Sequence, residues 1–417
     1  MQKMLNLDSS SSFNKSIAAV KNICLERNEE LKQRKHLLFV FGCPPRQGYG
    51  SPVIVDRHLK KLSDEWDITI VAPEQSFNNV VLPSHWKIVS IPMRRWWWLP
   101  YRSKMPSLMM ALRFFYWRIE CEKVLKRERP TAVLTVLHDM YSVFASYLSE
   151  SWQVPLSVII HDQDELFAKS EAGRRWIKDN WPKVIDQARR VWTVSPELAD
   201  VYKVSGKKKT STLFPIPGKS NNEFSSWQKT FEYAPVIGYA GNIYPSQVKY
   251  FRKIAAVLKK ANGTLLLVTP KLDSSVQSLI DSFSNIEHHE PFSNNSDVVK
   301  FLKEKASCIL ICYTFTVSEL PWTLTSFPSK LVEFSSLGLP MVILSPDTTA
   351  LGKWAKTSAW RSCLHEFDED KLLEIFNQLR KKQCWIDMAT QTKNAAMTEF
   401  DADTIHFQFE SELAVRR

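Results

Sequence analysis

The chain has 417 residues, too many for one ordinary hydrophobic core, so two domains are expected. With 44% apolar and 24% charged residues its composition is globular, and no run of eighteen apolar residues marks a transmembrane helix. The net charge of +11 is unevenly placed: eleven Lys/Arg stand against three Asp/Glu between Lys87 and Arg129, interleaved with Trp96, Trp97, Trp98, Phe114, Phe115 and Trp117.

Residues 1–35 are polar and read as an extension outside the core, without the apolar centre of a secretory signal. Seven scattered cysteines give no disulfide framework, so a reduced, cytoplasmic protein is expected. "HLLFVFG" (36–42) reads as a buried strand. It ends in the loop "CPPRQGYGSP", where Arg46, Gly48 and Gly50 stand at the strand's carboxyl end. A helix through "VIVDRHLKKLSDEW" and the strand "DITIVAP" (67–73) complete a βαβ unit. A helix is predicted from Ser107 to about Arg127, with Leu108, Leu112, Phe115 and Ile119 as its apolar stripe and Pro130 as its stop. "PTAVLTVL" and "PLSVIIHD" are further strands, separated by the helix "MYSVFASYLSESW". Each leads into a His-Asp pair, His138-Asp139 and His161-Asp162. "RRVWTVSPELADVYKVS" repeats the strand–helix pattern.

Residues 219–235 belong to a stretch rich in Pro, Gly, Ser and Asn and read as the linker between a first domain over 36–218 and a second over 236–395. The second domain repeats the alternation through "PVIGYAGNIYPS", "GTLLLVTP", "ASCILICYTF" and "LPMVILS". Cys308 and Cys312 are expected in the core rather than on a metal. From Asp368 on the chain reads as helical, and residues 396–417 are expected as a C-terminal helix packing back on the first domain. The fold class is therefore α/β, two Rossmann-like doubly wound domains facing a cleft.

"TLTSFPSKLVEFSSLGLPMVILS" (323–345) is the most informative stretch. Pro328 suits a first helical turn, Leu331, Phe334 and Leu337 form an apolar stripe, and Gly338 suits a left-handed end. Ser329 and Lys330 at the helix start favour an anion. Glu333 would repel phosphate but could read sugar hydroxyls, so the stretch points to a nucleotide.

In this order, "RPTAVLTVLHD…VPLSVIIHD", "ARRVWTVSPELADVYK", "IGYAGNIY" and "FPSKLVEF…GLPMV" resemble glycosyltransferases of the GT-B fold, and in particular the retaining group called family 4. The resemblance spans about residues 36–400. It implies a cleft between the domains, a UDP- or GDP-sugar held mainly by the second, and a glycan or lipid-linked acceptor held mainly by the first. The activity implied is hexosyl transfer in envelope or exopolysaccharide synthesis, with no resident cofactor. Carried over residue by residue, Glu333 meets the ribose hydroxyls, Ser329 and Lys330 meet the diphosphate, and Gly241 and Asn242 join the donor side. His161 and Asp162 stand near the reaction centre as catalytic candidates with Lys330, while Arg46, Gly48, Gly50 and His138 face the acceptor.

The likeness departs at two points. The family's Glu-x7-Glu has Thr325 in place of its first carboxylate, with Glu319 the nearest substitute. Its cationic residue after the second domain's first strand is replaced by Asn242 and Gln247, with Lys249 displaced by a residue or two. No DxD-type metal pair is evident, so leaving-group charge is expected to be met without a metal, by Lys330, Ser329, backbone N–H groups and Lys249. A nucleotide-sugar epimerase on the same fold, or a non-catalytic binding subunit, remain as alternatives. A nicotinamide enzyme lacks its G-x-G-x-x-G here, and no nucleic-acid motif is present. The aromatic-basic segment fits either peripheral contact with an anionic membrane or core aromatics under a solvated face.

Overall fold

The computed structural model describes residues 34–46, 50–92, 106–126, 128–163, 171–207, 209–218, 224–270 and 274–414, with the side chains of 51, 106, 107, 172 and 173 left aside. Its first sheet holds β1 (Lys35–Val40), β2 (Trp66–Pro73), β3 (Lys87–Ile91), β4 (Ala132–Val136), β5 (Leu156–Ile160), β6 (Arg190–Thr193) and β7 (Thr210–Thr212). All are parallel, in the order 3-2-1-4-5-6-7. The second sheet holds β8 (Val236–Ala240), β9 (Thr264–Val268), β10 (Ile286–His289), β11 (Cys308–Cys312), β12 (Met341–Leu344) and β13 (Cys363–Leu364), parallel in the order 10-9-8-11-12-13.

Central strands are apolar runs because helices cover both faces of each sheet. Leu37–Val40 in β1, the whole of β4 and the whole of β12 are buried, and Phe39 sits in register between Ile70 and Leu134. Both sheets reverse their strand order beside the first strand, between β1 and β4 and between β8 and β11. Open α/β sheets bind ligands outside the carboxyl ends at such switch points. Cys308 and Cys312 are core residues, as expected of a buried strand.

Four short strands went unrecognised in the sequence. β3, β7, β10 and β13 are edge or near-edge strands with half-exposed residues and lack the apolar run that marks a central strand. A larger correction concerns the Pro106–Leu125 helix. The stripe expected to be buried is the exposed one: Leu108, Leu112 and Phe115 are 51%, 61% and 55% exposed. The core takes Met110, Phe114, Trp117, Cys121 and Leu125 instead. Both faces of this helix are apolar, so periodicity alone does not choose between them. The choice follows from ring packing, since Trp117 stacks on Tyr141 at 5.5 Å and meets Phe144 edge-on at 5.2 Å. The basic and tryptophan-rich residues 94–104 lie outside the described residues.

After the Lys382–Met397 helix, whose Trp385 indole donates to the Ser307 carbonyl, the chain crosses back. The Ala402–Ala414 helix then lies on the first domain. Glu412 pairs with Arg190 and accepts from the Trp192 indole, and Glu410 accepts from Ser63 and Trp66. Among the described residues no helix is long and apolar enough to cross a membrane.

The assignment of faces on the Pro106–Leu125 helix can be checked by urea denaturation. Trp117→Ala should cost ~3–5 kcal/mol, as for a large buried aromatic. Leu112→Ser should stay within ~0.5 kcal/mol, as for an exposed position. The opposite ranking would return Leu112 to the core.

Candidate functional site

Two cavities lie at the two switch points. The larger, about 610 Å³, is lined by Gly241 and Asn242 after β8, Tyr313 after β11, and Ser329, Lys330 and Glu333 of the Ser329–Ser335 helix. It also reaches the first domain through Gly50, Val53, Ile54 and Arg57. These four recur at helical spacing and give the Gly50–Lys61 helix one cleft-facing stripe. The smaller cavity, about 320 Å³, lies among Cys43 and Arg46 after β1, His138 and Asp139 after β4, and His161 and Asp162 after β5. Asp162 lines both.

Lys330 occupies an unusual seat. Its Nζ lies 5.2 Å from the centre of the Tyr239 ring, and among the described residues no carboxylate reaches it. Gly241, at φ +127°, makes room for the ammonium: a Cβ there would coincide with Lys330 Nζ and Cε. Glycine is therefore required twice at this turn, for its backbone angle and for its missing side chain. Burial disfavours the charged form and pulls the Lys330 pKa down to about 8. A cation held out of water without a counter-ion is a seat for an anion.

Three residues further along the same helix, Glu333 is paired across the cleft. Its Oε2 accepts from Arg57 Nη1 at 2.5 Å and its Oε1 from Arg57 Nη2 at 2.9 Å, a fork of two parallel bonds. Gly218 N–H donates to Oε2 at 3.1 Å, and Arg57 Nη1 also donates to the Ile216 carbonyl at 2.8 Å. The carboxylate beside the anion seat is thus neutralised by the other domain.

The remaining candidates divide. Ser329 and Asn242 are exposed on the larger cavity's wall. Arg46, His138, His161 and Asp162 meet in the smaller one, whereas Gly50, expected beside them, lines the larger; Gly48 lies outside the described residues. His161 is 7% exposed, its Nδ1 is buried without a hydrogen-bond partner, and burial lowers its pKa to about 4 against the pull of Asp162. It is neutral at pH 7. Asp162 Oδ1 accepts from Ser326 Oγ of the second domain at 2.8 Å.

Lys249 and Thr325 are not brought to the cavity. Lys249 Nζ binds both oxygens of Glu319, at 2.8 and 3.0 Å, on an exposed surface, which also removes Glu319 as a substitute carboxylate. Thr325 is buried, its hydroxyl turned to the Trp322 carbonyl and its own carbonyl accepting from Ser195 Oγ at 2.5 Å. Gln247 lies on the cavity wall, yet its amide is spent on the Tyr244 N–H and the Cys312 carbonyl. Pro328 precedes the helix as its N-cap instead of standing in its first turn.

The sequence reading missed Arg57, Gly218, Tyr239 and Ser326. Only Arg57 carried a local signal, a charge four residues after Val53 on the apolar stripe of its helix. The others act through contacts that sequence spacing does not show.

No protein-family model matches the chain, and no curated protein matches it. Solved structures do. Anabaena HepE in complex with UDP and glucose superposes with a TM-score of 0.62 at 14% identity, over 91% of this chain and 99% of that one. The N-terminal domain of Candida albicans trehalose-6-phosphate phosphatase gives 0.63 at 10%, over 92% and 97%. WaaG, a glycosyltransferase involved in lipopolysaccharide biosynthesis, gives 0.56 at 11%, over 91% and 100%. At these identities the likeness is one of fold: the chain has the two-domain GT-B architecture.

The seat at Gly241 makes a direct prediction. Gly241→Ala should destabilise by more than ~1 kcal/mol, because φ is positive and the methyl group displaces Lys330. Gly50→Ala, where a Cβ meets nothing within 4 Å, should change stability little. Thermal unfolding of the two variants compares them, and equal midpoints would contradict the packing of Lys330 against Gly241.

Proposed function

We propose that the chain is a glycosyltransferase that moves a hexosyl group from a nucleoside-diphosphate sugar, a UDP-hexose, to a glycan or lipid-linked acceptor. The observation that carries this reading is the Lys330 ammonium at the switch point of the second sheet, which no carboxylate among the described residues reaches, in a cavity walled by both domains. The GT-B architecture and the UDP and glucose bound by HepE support the choice of donor.

Breaking the bond from the anomeric carbon to the diphosphate builds negative charge on the leaving group. Lys330 and the hydroxyl of Ser329 meet that charge, and one well-placed donor contributes ~3–4 kcal/mol to such a step. Glu333 accepts from the ribose. The sugar lies toward Asp162, where the two cavities join, and the acceptor hydroxyl enters from the smaller one. His161, neutral and buried, acts as a hydrogen-bond partner to the sugar or acceptor and not as a cation. Retention of anomeric configuration follows from the resemblance to family 4. Because Lys330 supplies the countercharge, transfer is expected to persist in EDTA.

Lys330 is the group at this cavity expected to set the pH dependence of nucleotide binding. Its pKa of about 8 in the free protein should rise when a diphosphate arrives, since an opposite charge favours the protonated form. Binding therefore takes up a proton above pH 8. UDP affinity should be level below pH 8 and fall as pH rises beyond it. Lys330→Met should remove that slope and lower the transfer rate by about 100-fold or more. Calorimetry from pH 6.5 to 9.5 with both proteins checks it; the same slope in the variant would rule Lys330 out as the phosphate contact.

Peripheral attachment to an anionic membrane belongs to the same proposal, because a lipid-linked acceptor is met at a surface. Leu108, Leu112 and Phe115 form an exposed apolar face on the Pro106–Leu125 helix, within a segment whose sequence carries a net excess of basic residues. Apolar burial and attraction to acidic headgroups add at such a face, the latter by ~1 kcal/mol per basic residue. In sedimentation with vesicles, the chain should bind those containing phosphatidylglycerol and lose most binding on joint Leu112→Ser and Phe115→Ser substitution. Equal binding by wild type and variant would refute this part of the proposal.

A further inference from the structure

We infer that Arg57, a residue of the first domain, is a positioning residue for the nucleotide held by the second. This rests on the reading of the larger cavity as a nucleoside-diphosphate site. Arg57 fixes the Glu333 carboxylate so that one acceptor site remains for a ribose hydroxyl.

A carboxylate offers about four acceptor positions. The Arg57 fork takes one on each oxygen, and Gly218 N–H takes a second on Oε2. One is left, on Oε1. Gly218 is shaped around it, because a Cβ there would approach both Glu333 Oε1 and Arg57 Nη2 at 3.1 Å. Arg57 is itself pinned by the Ile216 carbonyl at 2.8 Å. Both members of the pair are 14% exposed, so water does little to screen or replace their bonds.

The pair does more than orient. Glu333 lies three residues after Lys330 on one short helix, a spacing at which opposite charges can meet. Without Arg57, Glu333 would turn to Lys330 and quench the ammonium that meets the diphosphate. With Arg57 in place, the carboxylate neither repels the phosphates nor competes for their cation. The guanidinium comes from the Gly50–Lys61 helix, so both functions exist only while the two domains face each other as they do here.

The test is calorimetry of the full chain with UDP, 2′-deoxy-UDP and 3′-deoxy-UDP. Wild type should bind UDP more tightly than one of the two deoxy analogues by about tenfold or more, the worth of one charge-assisted hydrogen bond. Arg57→Ala should weaken UDP by about tenfold or more and bring the ratio between UDP and that analogue to about one. Arg57→Lys, which keeps the charge without the fork, should recover part of the UDP affinity and none of the ratio. A general loss of folded protein would lower all three affinities together and leave the ratio unmoved. An Arg57→Ala protein with the wild-type ratio overturns the inference. Should that variant fail to fold, Gly218→Ala replaces it, expected to lower the ratio by crowding Oε1; an unchanged ratio overturns the inference equally. Wild type that binds UDP yet treats both analogues alike overturns the inference alone, whereas wild type that binds no nucleotide overturns the proposed function and the inference with it.

Discussion

A lysine ammonium that no carboxylate among the described residues reaches is what the cleft is arranged around. Holding the Lys330 charge away from water lowers its pKa to about 8, a penalty against the charged form in the free protein. Such a penalty is tolerated when the surrounding fold over-determines the position. Here Gly241, the residue after β8, leaves the space by its missing side chain, and the Tyr239 face accepts the ammonium from one side. Arg57 removes the one acidic group on the same helix that could neutralise it. Each of these residues has a separate place in the sequence, and together they leave the Lys330 ammonium open to a ligand.

The same arrangement ties the domains together. Beside the Arg57–Glu333 fork, Ser326 of the second domain donates to Asp162 of the first, and Ser195 of the first donates to the Thr325 carbonyl of the second. These are short, partly or wholly buried bonds at the meeting edge of two cavities. Asp162 is consequently held by one oxygen where both cavities open. Thr325, which the resemblance to family 4 sets at a sugar-binding carboxylate, is turned to the interface instead.

What could be read from the sequence follows from how local the physical cause is. The central strands and the GT-B order of elements were legible because burial on two faces writes continuous apolar runs, as in "LLFV" and "MVIL". Lys330 and Glu333 were legible because a helix start and one turn set their relation. The edge strands were not, since half-exposed three- and four-residue segments carry no such run. The Pro106–Leu125 helix misled because both of its faces are apolar, and stacking of Trp117 on Tyr141 decided between them. Lys249 misled in the opposite way: its nearness in sequence to the expected cation suggested a role, while Glu319, 70 residues on, holds it at the surface. Arg57 escaped because its partner lies 276 residues away. Contacts that close across a cleft leave little trace in either segment alone.

The central claim is that the larger cavity holds a nucleoside diphosphate against Lys330. Native mass spectrometry of the purified chain titrated with UDP, GDP and ADP tests it most directly. The account predicts one nucleotide adduct per chain, strongest with UDP, and a weaker adduct in Lys330→Met with the folded charge-state distribution retained. Spectra without an adduct for any of the three nucleotides, or an adduct of equal strength in the variant, would contradict it.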